Sequence, residues 1–196
     1  MGAVHEAPLS TLAGRLQEAD RLVAFVETGT FLGNSIAWAA SRFDQVITIE
    51  IDPGYLDRAR ARHAGLTNVD FLLGDSAVQL ELALARLDGP ALCWLDAHAG
   101  AGFFAPEDNC PLLAELEAVM RSPHDHCILI DDARAFVAPP PPPFNYRKWP
   151  PLEEIFETIV RHKPYHLVFI DDVLIAVPAR HRELVADYCF SVRPSI

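Results

Sequence analysis

The chain has 196 residues, 51% of them apolar and 22% charged, enough for one folded unit with a sizeable core rather than a disordered chain. Its 27 acidic residues outnumber its 16 basic ones, and the net charge of −11 argues against a protein built to hold phosphate backbones, which rests on Lys and Arg. No apolar run approaches the roughly 20 residues needed to span a bilayer, and Met1-Gly2-Ala3-Val4-His5-Glu6 lacks the basic-then-apolar pattern of a signal peptide.

Short apolar runs of β character alternate with longer helical ones, and there is no internal repeat. A first strand is predicted at 21–26, and 34–42 reads as a helix. The β-branched run at 45–51 is a second strand; Asp52 and Pro53 then form an N-cap and first-turn pair opening a helix to about His63. A third strand at 69–73 leads into a helix at 76–87, and a fourth strand at 91–96 follows. The segment 110–121 reads as a helix with Leu112, Leu113, Leu116, Val119 and Met120 on one face, before a fifth strand at 127–130.

Strands alternating with helices imply a parallel sheet covered on both faces. The ending differs. The β runs at 165–170 and 173–177 are separated only by Asp171-Asp172, too short for a helical crossover, so they form an antiparallel hairpin whose acidic pair does turn chemistry. Between the fifth strand and a helix at 152–161 lies Pro139-Pro140-Pro141-Pro142-Pro143, an extended segment that is either a stiff lid beside the strand ends or a surface spacer. Phe144, Tyr146 and Trp149 beside it offer an apolar wall, with Trp149 equally able to pack on the helix that follows. Cys93, Cys110, Cys127 and Cys189 contain no C-x-x-C pair, so a reduced, cytoplasmic chain is expected, with Cys93 and Cys127 buried in strands.

Four groups of residues carry chemistry. The loop Glu27-Thr28-Gly29-Thr30-Phe31-Leu32-Gly33-Asn34-Ser35 joins the first strand to the next helix. Gly29 permits a tight turn, and Gly33 permits a ligand or a neighbouring strand to approach the helix start. The Glu27 carboxylate would repel a pyrophosphate and suits a cationic amino group. Glu50 closes the second strand at the spacing expected of a carboxylate that accepts both ribose hydroxyls; the alternative, a cap for the following helix, is a role that Asp52 already fills. Asp75, in Gly74-Asp75-Ser76, either accepts from an adenine amine or caps the following helix. Finally, Asp96-Ala97-His98 follows the fourth strand and Asp131-Asp132 the fifth. Adjacent parallel strands end about 4.8 Å apart, so Asp96, Asp131 and Asp132 can converge on a hard dication such as Mg2+. The alternatives are that Asp96 touches the cofactor, that Asp131-Asp132 caps a turn or pairs with Arg134, and that His98 is a hydrogen-bonded loop residue.

These residues resemble the S-adenosylmethionine site of class I methyltransferases. ETGTFLGNS followed by VITIEIDP is most similar to the small O-methyltransferases of the catechol and caffeoyl-CoA type, with similarity over about residues 22–135. The resemblance implies a Rossmann-like class I methyltransferase fold over residues 1–196 as a single domain: a mostly parallel seven-stranded sheet ending in an antiparallel hairpin, with helices on both faces. It implies that Glu27, Gly29 and Phe31 line the methionine portion and that Ser35 holds its carboxylate. Glu50 would bind the ribose, Asp75 and Ser76 would face the adenine, and Thr30, Gly33, Ile51 and Asp96 complete the cofactor contacts. Asp96, Asp131 and Asp132 match the metal ligands of that family, which has an amide at the last position. The family's base, a lysine, is replaced by Ala99, with His98 the nearest replacement base, and Asp96 and His98 are the candidate catalytic residues. The expected activity is methyl transfer from S-adenosylmethionine, with Mg2+ assistance, to a hydroxyl of a small molecule. No nucleic-acid or membrane partner is expected. With about 21 residues before the first strand, the acceptor pocket is expected from the loops after strands four and five or from a second subunit of a homodimer. The alternatives are a nucleotide-dependent dehydrogenase-like domain and a catalytically degenerate methyltransferase-fold binding module. Gly100-Ala101-Gly102-Phe103-Phe104 reads either as a mobile rim over the pocket or as a loop whose phenylalanines pack on the core, with Asp108 and Asn109 contacting the acceptor or capping the next helix.

Overall fold

The computed structural model describes residues 3–98, 110–142 and 144–192. In chain order the elements are α1 (Leu9–Asp20), β1 (Ala24–Thr28), α2 (Ile36–Ala40), β2 (Gln45–Glu50), α3 (Pro53–Arg62), β3 (Val69–Leu73), α4 (Ser76–Leu84), β4 (Ala91–Leu95), α5 (Leu112–Arg121), β5 (Cys127–Ile130), α6 (Arg134–Val137), α7 (Leu152–Val160), β6 (Tyr165–Ile170), β7 (Val173–Pro178) and α8 (Arg182–Val192). The seven strands form one sheet in the order β3-β2-β1-β4-β5-β7-β6. The first five are parallel, and β7 runs antiparallel to both β5 and β6. The strand order reverses between β1 and β4, so a crevice opens at their carboxyl ends, where ligands bind in open α/β sheets.

The sheet is buried on both faces because β1, β4, β5 and β7 carry almost nothing but apolar side chains. On one face Val26, Cys93, Leu95, Ile128 and Ile130 pack against Leu80 and Ala83 of α4, Leu112, Leu116 and Val119 of α5, and Ile155 and Ile159 of α7. On the other, Phe25, Leu92, Trp94, Cys127 and Leu129 meet Leu9, Leu12 and Leu16 of α1, Ala39 of α2, and Val185 and Tyr188 of α8. Cys93 and Cys127 are fully buried, as expected for strand residues. The β6–β7 turn places Asp171 (φ 50°) and Asp172 (φ 64°) in the left-handed region, as a two-residue hairpin turn requires.

The predicted boundaries differ most at the start. Arg21 adopts φ 50° and terminates α1, so the first strand begins at Ala24 and continues through Thr28. That shift draws Glu27 and Thr28 out of the loop and into the sheet, paired with Thr48 and Ile49 on one side and Trp94 and Leu95 on the other. Helices α1, α6 and α8 lie where no element is predicted. No described helix is long and apolar enough to cross a membrane.

Candidate active site at the carboxyl ends of the strands

Gly29 is the pivot of the first loop. Its φ is +85°, and a Cβ there would lie 2.3 Å from the Asp96 carbonyl oxygen, so only glycine lets β1 and β4 end this close together. Its N–H donates to the Ile49 carbonyl at 2.9 Å, while the Asp96 N–H donates to the Thr28 carbonyl at 3.1 Å. Gly33 (φ +66°) permits a close approach of helices where the sequence offers a ligand or a strand: Ile36 of α2, Ala59 of α3 and His63 at its end crowd the position of its missing Cβ, none of them on a strand.

Beneath the loop lies a closed polar cluster. Ser35 donates its hydroxyl to Glu27 Oε2, and Thr48 donates to Glu27 Oε1 at 2.8 Å. The Thr30 and Thr48 hydroxyls are 2.5 Å apart; with the Thr48 hydrogen committed to Glu27, Thr30 must be the donor. Glu27 is 2% exposed, and burial pushes its carboxyl up to about 7 despite the Ser35 and Thr48 hydroxyls. The structure therefore places Ser35 and Thr30 on Glu27, through Thr48 in the second case.

Glu50 stands above this cluster. Its Oε2 accepts the Phe31 N–H at 2.8 Å and its Oε1 the Asp52 N–H at 2.9 Å. One carboxylate thus fastens the glycine loop to the end of β2 and holds Phe31 at φ 45°. Capping of α3 falls to Asp52, whose Oδ1 accepts the Tyr55 N–H at 3.0 Å. Phe31 and Ile51 are 44% and 41% exposed, which leaves two apolar side chains open at the crevice edge. Asp75 caps α4 through the Ala77 N–H at 2.9 Å, and Ser76 is buried beside it.

The carboxylate cluster is partly as expected. Ligand-capable atoms of Asp96, His98 and Asp132 all lie within 4.8 Å of one another, and Asp131 does not belong to that group. Asp131 instead accepts the Asp132 N–H on Oδ1 at 2.8 Å. Asp132 sits at φ 49°, and its Oδ1 pairs with Arg134 Nη2 at 2.8 Å. Arg134 is itself ion-paired with Asp172, whose Oδ1 also accepts the Arg134 N–H at 2.9 Å. The hairpin turn thereby braces the loop after β5, a link with no signal in local sequence.

Burial pushes the Asp96 carboxyl up to about 8; His98 opposes that rise, and Asp131, Asp132 and Glu27 add to it. Asp132 is held below the ordinary aspartate value by His98, against the pull of burial. The His98 ring is wedged edge-on against Phe136 and Trp149, with ring centroids 5.4 Å away in each case. Phe144 in turn packs on Trp149 at 5.8 Å. The aromatic residues around the proline run thus wall in His98, while Tyr146 is exposed.

Glu115 was not anticipated. It is 1% exposed on α5, and burial raises its carboxyl against the Ser76 and Thr28 hydroxyls. A charged residue inside the apolar stripe Leu112, Leu116, Val119 was the available signal. The position of Ala99, the loop 100–104 with Phe103 and Phe104, and Asp108 and Asn109 lie outside the described residues.

No protein-family model matches this chain. No curated protein matches it in sequence. Solved structures match its fold. The O-methyltransferase TomG from Streptomyces achromogenes, involved in tomaymycin synthesis and solved with S-adenosylmethionine, superposes with a TM-score of 0.61 at 20% identity, over 88% of this chain and 80% of that one. An O-methyltransferase from Bacillus cereus, solved with S-adenosylhomocysteine, gives a TM-score of 0.64 at 17% identity, over 90% and 84%. The 23S rRNA methyltransferase ErmE gives 0.51 at 14% identity, over 93% and 77%. Together with the strand order and terminal hairpin, these matches define the Rossmann-like class I methyltransferase fold. Within that fold the first two similar structures are O-methyltransferases and the third acts on RNA, so the fold by itself leaves the acceptor open.

Proposed function

We propose that this chain is a methyltransferase that uses S-adenosylmethionine and acts on a hydroxyl of a small molecule. The observation that carries the reading is Glu50, a carboxylate at the end of β2 whose two oxygens are fixed by the Phe31 and Asp52 amides beside the glycine loop. Each carboxylate oxygen accepts two hydrogen bonds, so both retain a lone pair for a ribose hydroxyl. Phe31 and Ile51 supply apolar surface beside it, and Gly29, Thr30, Gly33, Ser35 and Glu27 shape the loop that would hold the methionine portion. Asp75 and Ser76 border the place of the adenine.

The transfer is a single displacement at a sulfonium methyl, so the protein's task is to align acceptor and methyl and to exclude water. Asp96 is the residue that meets the acceptor. A carboxyl pushed up to about 8 accepts a proton more readily than an ordinary aspartate, which suits a base working near neutral pH. Asp96 and Asp132, with Asp131 behind them, also suit a divalent cation, Mg2+ in the expectation from sequence; when bound, it would lower the pKa of the acceptor hydroxyl. The acidic chain favours a small acceptor over nucleic acid. A single domain, a cytoplasmic location and a homodimer that completes the pocket belong to the same reading.

Calorimetric titration with S-adenosylhomocysteine, with NAD as control, tests the proposal. Micromolar binding of the homocysteine compound alone supports it and justifies an acceptor screen with and without divalent cations. Absence of binding to the folded protein overturns it in favour of a dehydrogenase-like domain or a degenerate module.

A further inference from the structure

The group formed by Asp96, His98 and Asp132 differs from an ordinary acidic patch in one respect. Nε2 of His98 is sealed from solvent and has no hydrogen-bond partner among the described residues, and the side chain is 1% exposed. Its nearest carboxylate oxygen, Asp132 Oδ2, is 3.7 Å away, too far for a hydrogen bond. A buried polar nitrogen left unpaired is costly, so it marks a place for a partner. The ring cannot readily turn away to find another partner, because Phe136 and Trp149 confine it. Asp96, Asp132 and the buried Glu115 lie around it, so the surroundings are rich in carboxyl groups.

We propose that Asp96, His98 and Asp132 form a mixed nitrogen–oxygen site for a first-row transition-metal dication, in preference to Mg2+. In an octahedron with bonds of about 2.1 Å, adjacent donors are about 3.0 Å apart and opposed donors about 4.2 Å. The 3.7 Å between His98 and Asp132 and the 4.8 Å limit on the whole group sit close to that range, so small side-chain adjustments close the site. The donor set decides the metal. Imidazole is a good ligand for first-row transition ions, whereas Mg2+ prefers oxygen and retains its water. Two carboxylates and a dication are together neutral, which also relieves the repulsion between Asp96 and Asp132. The chemical use of such an ion rests on the methyl-transfer reading above, but its binding does not.

The full chain, stripped with a chelator, is titrated separately with Co2+, Mn2+ and Mg2+, and the Mn2+-loaded protein is examined by electron spin echo spectroscopy. Co2+ is expected to bind with a Kd at least tenfold below that of Mg2+, and the Mn2+ signal to carry a 14N coupling from an imidazole. Co2+ outranks Mg2+ at most sites, so the His98→Gln variant carries the test. It should lose at least tenfold in Co2+ affinity, keep Mg2+ affinity within about threefold, and lose the 14N coupling. No bound metal, unchanged Co2+ affinity in His98→Gln, or a wild-type Mn2+ signal without 14N coupling each overturns the proposal. If His98→Gln does not fold, Asp132→Ala replaces it: a loss of at least tenfold in Co2+ affinity there supports the site, and an unchanged affinity overturns it. Titration of the same stripped sample with S-adenosylhomocysteine separates the two readings. Metal binding without that ligand leaves the metal site standing alone, and the reverse removes only the metal site.

Discussion

Substituting Gly29 by alanine tests how the two central strands are allowed to meet. A Cβ at this position would fall 2.3 Å from the Asp96 carbonyl oxygen, 2.8 Å from its carbon and 3.1 Å from the Ala97 nitrogen. All three are backbone atoms, so no side chain can swing aside. Restoring an ordinary contact near 3.4 Å moves the end of β4 by about 1.1 Å relative to β1. Asp96 resists, because its N–H is held by the Thr28 carbonyl at 3.1 Å and the Thr28 hydroxyl at 3.3 Å. Overpacking of this kind costs about 1–3 kcal/mol. The left-handed backbone at φ +85° adds about 1–2 kcal/mol for alanine. Gly29→Ala should therefore lose about 2–5 kcal/mol in urea unfolding followed by circular dichroism, with an unchanged denaturant slope. Gly33→Ala should lose less, because its closest neighbour is the movable Ile36 Cδ1 at 2.9 Å. A Gly29→Ala protein within about 0.5 kcal/mol of the parent, or less affected than Gly33→Ala, would refute the reasoning.

Three further outcomes are expected. Burial raises the Glu27 carboxyl from 4.5 to about 7, so its contribution to stability is full below about pH 4.5, declines as pH rises, and is lost above about pH 7. Glu27→Gln should abolish that decline, which amounts to at most about 3 kcal/mol; a wild-type-minus-variant difference that is the same at pH 5 and pH 8 rejects the assignment. Glu50→Ala frees the Phe31 and Asp52 amides and should weaken S-adenosylhomocysteine binding more than tenfold, or about 1.4 kcal/mol, by calorimetry. An unchanged Kd removes Glu50 from the cofactor site. Tyr165→Phe deletes a buried hydroxyl that donates to the His126 carbonyl at 2.7 Å, and should cost about 1–3 kcal/mol in urea unfolding without altering ligand affinity; a neutral effect on stability shows that this bond contributes nothing net.

The sheet was legible because its signals are local. Alternating β-branched and helical runs, the Asp52-Pro53 helix start and the two-residue gap at Asp171-Asp172 each identify an element or connection from a few neighbouring residues. The limits of β3 and β5 coincide with the predicted ones, since both are short runs rich in apolar residues and bounded by turn residues. Helices α1 and α8 are different. Leu9, Leu12, Ala13 and Leu16 of α1 do stand at helical spacing, a local signal that the predicted elements omit, whereas the cluster these residues form with Val185 and Tyr188 of α8 on the sheet face depends on the rest of the chain being in place.

The candidate site divides in the same way. Sequence alone determined which residue types stand at each strand end: Glu27 and Gly29, Glu50, Asp75, Asp96, and the pair Asp131-Asp132. Only the tertiary structure decided which of them meet. Burial between two strands turned Glu27 into a closed floor carboxylate with Ser35 and Thr48 on its oxygens. The chain leaves β5 at Ile130 and turns into the left-handed region at Asp132 (φ 49°), so Asp131 and Asp132 part company, whereas His98, in the loop after β4, arrives beside Asp96 and takes the place that sequence adjacency suggests for Asp131.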